Sequence, residues 1–208
     1  MQIRWLGVSR FRAIQSLELC PGAVTVLMGP SNGGKTTVLA ALDLLLHHGL
    51  GRPRVVSELD FYGRDPAAGF EIEAVLGQLP TDLVADVVDH LEGWRASDRA
   101  VVPEPDGEGV EPVLRVRVTG DQDLELIHTF TKPESEGARF PPRLRHRIGW
   151  VFDGRGRDPA REFAFYQGSV LDRLFDGIGG GPAMEPERTL SPVRRGQSGC
   201  SGRVARVG

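Results

Sequence analysis

Eight consecutive residues, Gly29-Pro30-Ser31-Asn32-Gly33-Gly34-Lys35-Thr36, fit the pattern G-x-x-x-x-G-K-[ST] at every position. This constrains the fold more than any other feature, because the pattern works only between a strand and a helix. Residues 23–28 (Ala-Val-Thr-Val-Leu-Met) form an almost wholly apolar run directly before it. Such a run predicts a strand buried on both faces. Directly after it, Val38, Leu39, Leu42, Leu45 and Leu46 recur at helical spacing. They predict a helix over 36–48, ended by Gly49 and Gly51.

The residue types match one chemistry, the binding of a triphosphate such as ATP. Backbone N–H groups of the loop would wrap the phosphates, and glycine lets the chain approach closely. The Lys35 ammonium would reach the β- and γ-phosphates, and the Thr36 hydroxyl would ligate Mg²⁺. The helix start, with Thr37 in its first turn, aims its positive end at the same place. Lysine is otherwise almost absent, since Lys132 is the only other one in a chain whose cations are arginines. That scarcity makes Lys35 more informative.

The rest of the chain reads as a mixture of strands and helices. Residues 3–8 and 11–19 predict strands, with a turn at Pro21-Gly22. Residues 70–76 alternate Phe70, Ile72 and Ala74 with Glu71 and Glu73, a strand. Residues 81–94 predict an amphipathic helix capped by Thr81 or Asp82, and the acidic, Pro/Gly-rich 97–111 predicts a loop. Residues 113–119 set Leu114, Val116 and Val118 against Arg115 and Arg117, a half-buried strand. Residues 124–130 predict its hairpin partner, and 131–139 a polar loop. Trp94 and Trp150 read as core. Arg143, Arg145 and Arg147 alternate and read either as an arginine-rich edge or as a basic stripe for a nucleic-acid backbone. His47-His48 suits a solvated helix end rather than a metal site. Residues 163–166 form a short apolar strand followed by Gln167-Gly168 and a helical piece to Phe175. From 176 to 208 there is no aromatic residue, and Gly, Pro, Ser and Arg dominate, so this tail is expected to be disordered.

Composition excludes several classes. The net charge of −3 gives no global basic field. Cys20 and Cys200 are too far apart and too dissimilar in context to suggest a disulfide framework. No apolar run approaches the ~20 residues of a membrane span, and the start lacks a signal-peptide core. A cytoplasmic protein without membrane partners is expected.

Three stretches together resemble a known group. The opening I-x-W-L-x-V-x-x-F-R, with Phe11-Arg12 at its end, the loop variant with Asn32, and Ser57-Glu58-Leu59-Asp60-Phe61 are similar to the ABC-type ATPase heads of the RecF, SMC and OLD (ATP-dependent endonuclease-like) families. The resemblance implies an α/β P-loop NTPase lobe with an N-terminal antiparallel β subdomain over residues 1–175. It implies ATP and Mg²⁺ as cofactors, DNA as a partner in repair or defence, and a homodimer of heads. It also aligns Gln167 with the Q-loop glutamine, which contacts Mg²⁺ and acts in catalysis. The strand-ending Asp-Glu and the signature helix that complete such heads have no match in this sequence. The expectation is therefore an ATP-binding lobe, inactive alone, from a truncated or frameshifted gene. It would expose an apolar face and dissolve poorly.

Two other readings stand beside it. One is a module that holds Mg-ATP without hydrolysis. The other is a small-molecule P-loop kinase with Arg155-Gly156-Arg157 as a lid. Asp60 is weighed as a stand-in Mg²⁺ ligand, against the observation that no apolar strand precedes it.

Overall fold

The computed structural model describes residues 1–47 and 55–150. They build one antiparallel sheet of seven strands: β1 (Gln2–Phe11), β2 (Ile14–Leu19), β3 (Phe70–Gly77), β4 (Leu91–Arg95), β5 (Ala100–Val102), β6 (Val110–Gly120) and β7 (Leu126–Phe130). The order is β2-β1-β3-β6-β4-β5, with β7 also on β6. Strand β6 is long enough to serve two partners. Its first half pairs with β4 (Leu91↔Leu114) and its second half with β7 (Val116↔Phe130).

Alternation along β3 and β6 decides what faces what. Ile72, Ala74 and Leu76 stand opposite Val118, Val116 and Leu114, and all six are fully buried. They pack, with Leu6 and Val8 of β1, in one core with helix α1 (Lys35–Leu46). The other face carries charge. Arg115 bonds Glu92 at 3.0 Å and approaches Glu73 at 3.5 Å. Arg117 bonds Glu73 at 2.9 Å, and Arg4 bonds Glu111 at 2.7 Å. Val75, Trp94 and Val113 form a small second cluster beside these pairs.

Four expectations need correction. Residues 23–28 are not a strand: the chain bends at Ala23 and Val24 and stays unpaired among the described residues, with Val24, Val26 and Met28 exposed at 87%, 74% and 87%. Only their alternates, Ala23, Thr25 and Leu27, line a cleft of about 600 Å³ against α1. An apolar run predicts burial only where a neighbouring strand supplies it, and none does among the described residues. Residues 81–94 are not one helix. Helix α2 (Thr81–Asp86) ends early behind Pro80, a 3-10 turn (Val88–His90) follows, and Leu91 opens β4. Pairing with β6 outweighs helical spacing there, and Gly93 sits too close to the Glu104 carbonyl for any Cβ. The loop expected over 97–111 contains β5 and the start of β6. Finally, Arg143, Arg145 and Arg147 lie on helix α3 (Pro142–Ile148), neither a strand nor a stripe. Arg147 pairs with Asp82 and Asp86, and Arg145 is buried.

Other elements lie close to their expected bounds. One run expected over 11–19 breaks at Arg12, where φ is +51°, so β1 and β2 form a hairpin. Strand β7 starts at Leu126 because Asp121 caps the turn, accepting from the N–H groups of Asp123 and Glu125. Helix α1 starts at Lys35 and closes at His47, whose N–H donates to Asp43. Trp94 is in the core; Trp150 is half-buried and donates to Asp43 Oδ1 at 3.2 Å. Among the described residues, no helix is long and apolar enough to cross a membrane.

Two outcomes follow from this packing. His128 Nε2 donates to the Leu44 carbonyl at 3.0 Å, beneath α1. Burial pushes its pKa down to about 4, and the Arg145 charge acts the same way. His128 is thus neutral in the fold but binds a proton when unfolded below about pH 6.5. Its stabilisation is complete above that pH and is lost as pH falls towards 4, a span on the order of 3 kcal/mol. Burial raises the Glu92 pKa, which opposes this trend at the acid end. Urea denaturation at pH 7, 5.5 and 4.5 should show the fall, and His128→Gln should flatten it. The second outcome concerns the exposed run: Val24→Lys with Val26→Lys should lower self-association measured by light scattering, without lowering Tm.

Candidate functional site: the phosphate loop

The loop is shaped by three local features. The Gly33 N–H donates to the Pro30 carbonyl at 3.1 Å, closing a turn. Asn32 sits at φ +64° and Gly34 at φ +82°, both left-handed. Asparagine is among the few non-glycine residues that tolerate this region, which explains Asn32 where glycine would also serve. Gly34 is the N-cap of α1, and the first helical bond runs from Val38 N–H to its carbonyl. No side chain caps this end and no acid lies in the first turn. The N–H groups that open α1 therefore face outward without a side-chain acceptor, an anion-accepting arrangement.

Lys35 lies over the loop. Its Nζ donates to the carbonyls of Gly29 at 2.9 Å and Pro30 at 2.5 Å. Those two bonds fold the ammonium back onto the start of the loop. Thr36 is exposed beside it, and Thr37 is half-buried. Gly29, Pro30, Ser31 and Asn32 are exposed as well. Of the nine sequence-predicted residues 29–37, Gly34, Lys35 and Thr37 are half-buried and the others exposed.

The metal expectation can be weighed on the donor set. Among the described residues, no group of three His, Cys, Asp or Glu could hold an ion. The Thr36 hydroxyl is a single hard-oxygen donor, which fits Mg²⁺ arriving with phosphate oxygens and keeping several waters. It does not fit a metal bound by protein alone. Asp60 is not free to serve: its Oδ1 takes Arg12 Nε at 2.8 Å, and its Oδ2 takes the Ser57 N–H at 3.1 Å. Gln167, residues 163–166, the tail and Arg155-Gly156-Arg157 lie outside the described residues, as does His48.

One feature escaped the sequence reading. Ile14, which opens β2, is the side chain nearest the space beside Gly34, its Cγ1 4.0 Å from where a Cβ would be. The Arg12–Asp60 pair holds the β1–β2 turn. Phe11-Arg12 and Asp60-Phe61 were visible only as patterns, because their 48-residue separation hides the contact.

The chain matches no family model. It is similar to an OLD nuclease of Thermus scotoductus (strain ATCC 700910 / SA-01), 41% identical over 187 residues. That match covers 85% of this chain and 31% of the relative, so the chain spans about a third of that protein's length. The similarity supports an OLD-like chain.

The left-handed Gly34 gives a direct check. Gly34→Ala should lower stability by about 1–2 kcal/mol in urea denaturation, the ordinary cost of an L-residue there. Asn32→Gly should leave it within about 0.5 kcal/mol, since glycine accepts the same backbone.

Proposed function

We propose that this chain is the ATP-binding N-terminal lobe of an OLD-family ATPase, a P-loop head of the broader RecF/SMC kind that acts on DNA. The observation that carries the reading is the loop itself: an uncapped helix start, a left-handed glycine N-cap and a lysine whose ammonium is folded back onto the loop carbonyls. Similarity to an OLD nuclease over most of the chain supports the family.

The division of labour follows from which groups are present. Loop N–H groups and the α1 start would hold the β- and γ-phosphates, Lys35 would neutralise them, and Thr36 would contribute one oxygen to Mg²⁺. Bound Mg²⁺ supplies charge neutralisation across the phosphate oxygens. Positioning of water for attack needs a further carboxylate or amide. Gln167 is our candidate for one such group, contacting Mg²⁺ in the Q-loop manner. The acidic strand end of such heads has no match in the sequence, so we assign hydrolysis to the assembled protein and binding to this chain. The unpaired residues 23–28 fit a lobe whose sheet is completed by further chain, and paired heads would sandwich ATP between them. DNA contact falls to the assembled protein too, because Arg145 and Arg147 are engaged or buried here.

Isothermal titration of this chain with Mg-ATP tests the reading. Micromolar binding is expected, with phosphate release no faster than the background rate. Lys35→Ala should weaken affinity by about tenfold or more, as expected for loss of a charge-assisted contact. Unchanged affinity in Lys35→Ala would remove the loop from the binding site.

A further inference from the structure

Five polar or charged side chains are buried among the described residues: Asp43, Glu73, Glu92, Thr131 and Arg145. Burying a charge is unfavourable unless an opposite charge and hydrogen bonds replace its water. The buried acids meet that condition. Asp43 accepts from Trp150 Nε1 at 3.2 Å, Glu73 pairs with Arg117 at 2.9 Å, and Glu92 pairs with Arg115 at 3.0 Å. Arg145 is the exception. It is 8% exposed, yet its buried Nε has no hydrogen-bond partner, and its guanidinium makes no ion pair among the described residues.

Its surroundings sharpen the lack. Arg145 lies on α3, whose Leu144 and Ile148 pack in the main core with Leu42, Leu45 and Leu46 of α1. The acids that approach α3 are already taken, because Arg147 pairs with both Asp82 and Asp86. Burial lowers the Arg145 pKa to about 10, and no acid offsets it. The Arg145 charge in turn helps keep His128, buried beneath α1, in its neutral form. A buried cation beside a neutral histidine is an arrangement that lacks an anion.

Burial also selects the kind of anion. Phosphates of a nucleic acid lie along a broad backbone and are met by exposed cations, and a side chain more than nine-tenths buried is out of their reach. A carboxylate at the end of a narrow side chain does fit. The planar guanidinium matches it with two parallel N–H···O bonds. We infer that Arg145 is a receptor for one carboxylate, carried by an Asp or Glu side chain of a partner polypeptide that packs against α3. Docking turns an unpaired buried charge into an ion pair, so the partner is selected by an acid at one position. This does not depend on the ATP reading of the loop.

The test uses the full chain at pH 7 and constant ionic strength, with acetate as the probe carboxylate and chloride and sulfate as comparisons. Tm and the Arg145 Nε–H resonance are read. Acetate should raise Tm with its concentration, as a ligand of the folded state does, and should move the Nε–H resonance. Arg145→Met keeps an unbranched apolar stem and removes the charge. It should raise Tm in chloride by about 2 °C or more, since a buried charge without a partner is gone, and it should abolish the acetate effect. Arg145→Lys keeps a charge without the fork, so its response to acetate should be weaker than the parent's.

A fall in Tm for Arg145→Met in chloride, or loss of folding, would overturn the inference. Arg145 would then be a structural cation, of the kind that favours the negative end of a helix. The same Tm and Nε–H resonance for the parent in acetate and chloride would overturn it too. A response to sulfate without one to acetate would overturn the assignment to a carboxylate.

Discussion

The pairing of β3 with β6 is what the rest of the structure depends on. Ile72, Ala74 and Leu76 face Val118, Val116 and Leu114 in one register, and none of the six is exposed. Each fully buried Leu or Ile side chain contributes about 1.5–3 kcal/mol, and a slip of one residue would turn the whole set outward. The register also fixes the opposite face, where Glu73 falls between Arg115 and Arg117. Those pairs are partly shielded, so they specify register more than they add stability.

Helix α1 takes its place from that apolar face. Ala41, Leu45 and Leu46 are fully or almost fully buried in the main core. His128 and Trp150 hold the helix by polar contacts to the Leu44 carbonyl and to Asp43. A helix fixed along its length has a fixed start, and the start carries the phosphate loop. The binding role proposed for Lys35 and Thr36 is thereby tied to a core that neither residue joins. Residues 29–33 and Thr36 are exposed, so the proposed triphosphate would reach them from solvent.

Sequence alone determined the local features. The helical spacing of Val38 to Leu46 and the alternation in β3 and β6 are short-range, and the structure has them where expected, whereas the eight-residue loop pattern keeps its following helix but not the strand expected before it. Tertiary structure decided what short-range signals leave open. Leu91, Glu92 and Trp94 carry helical spacing yet join a sheet, since β6 offers ladder bonds and Arg115 offers Glu92 a partner. Residues 23–28 are apolar enough for a buried strand, yet stay unpaired and, Leu27 apart, exposed because no described strand reaches them. Arg145 and Arg147 share a type and a spacing, yet one is buried and the other clamps Asp82 and Asp86. Asp60 meets Arg12 across 48 residues of sequence. Periodicity and motif spacing report on residues a few positions apart; pairing, burial and ion contacts depend on which distant segments fold beside one another.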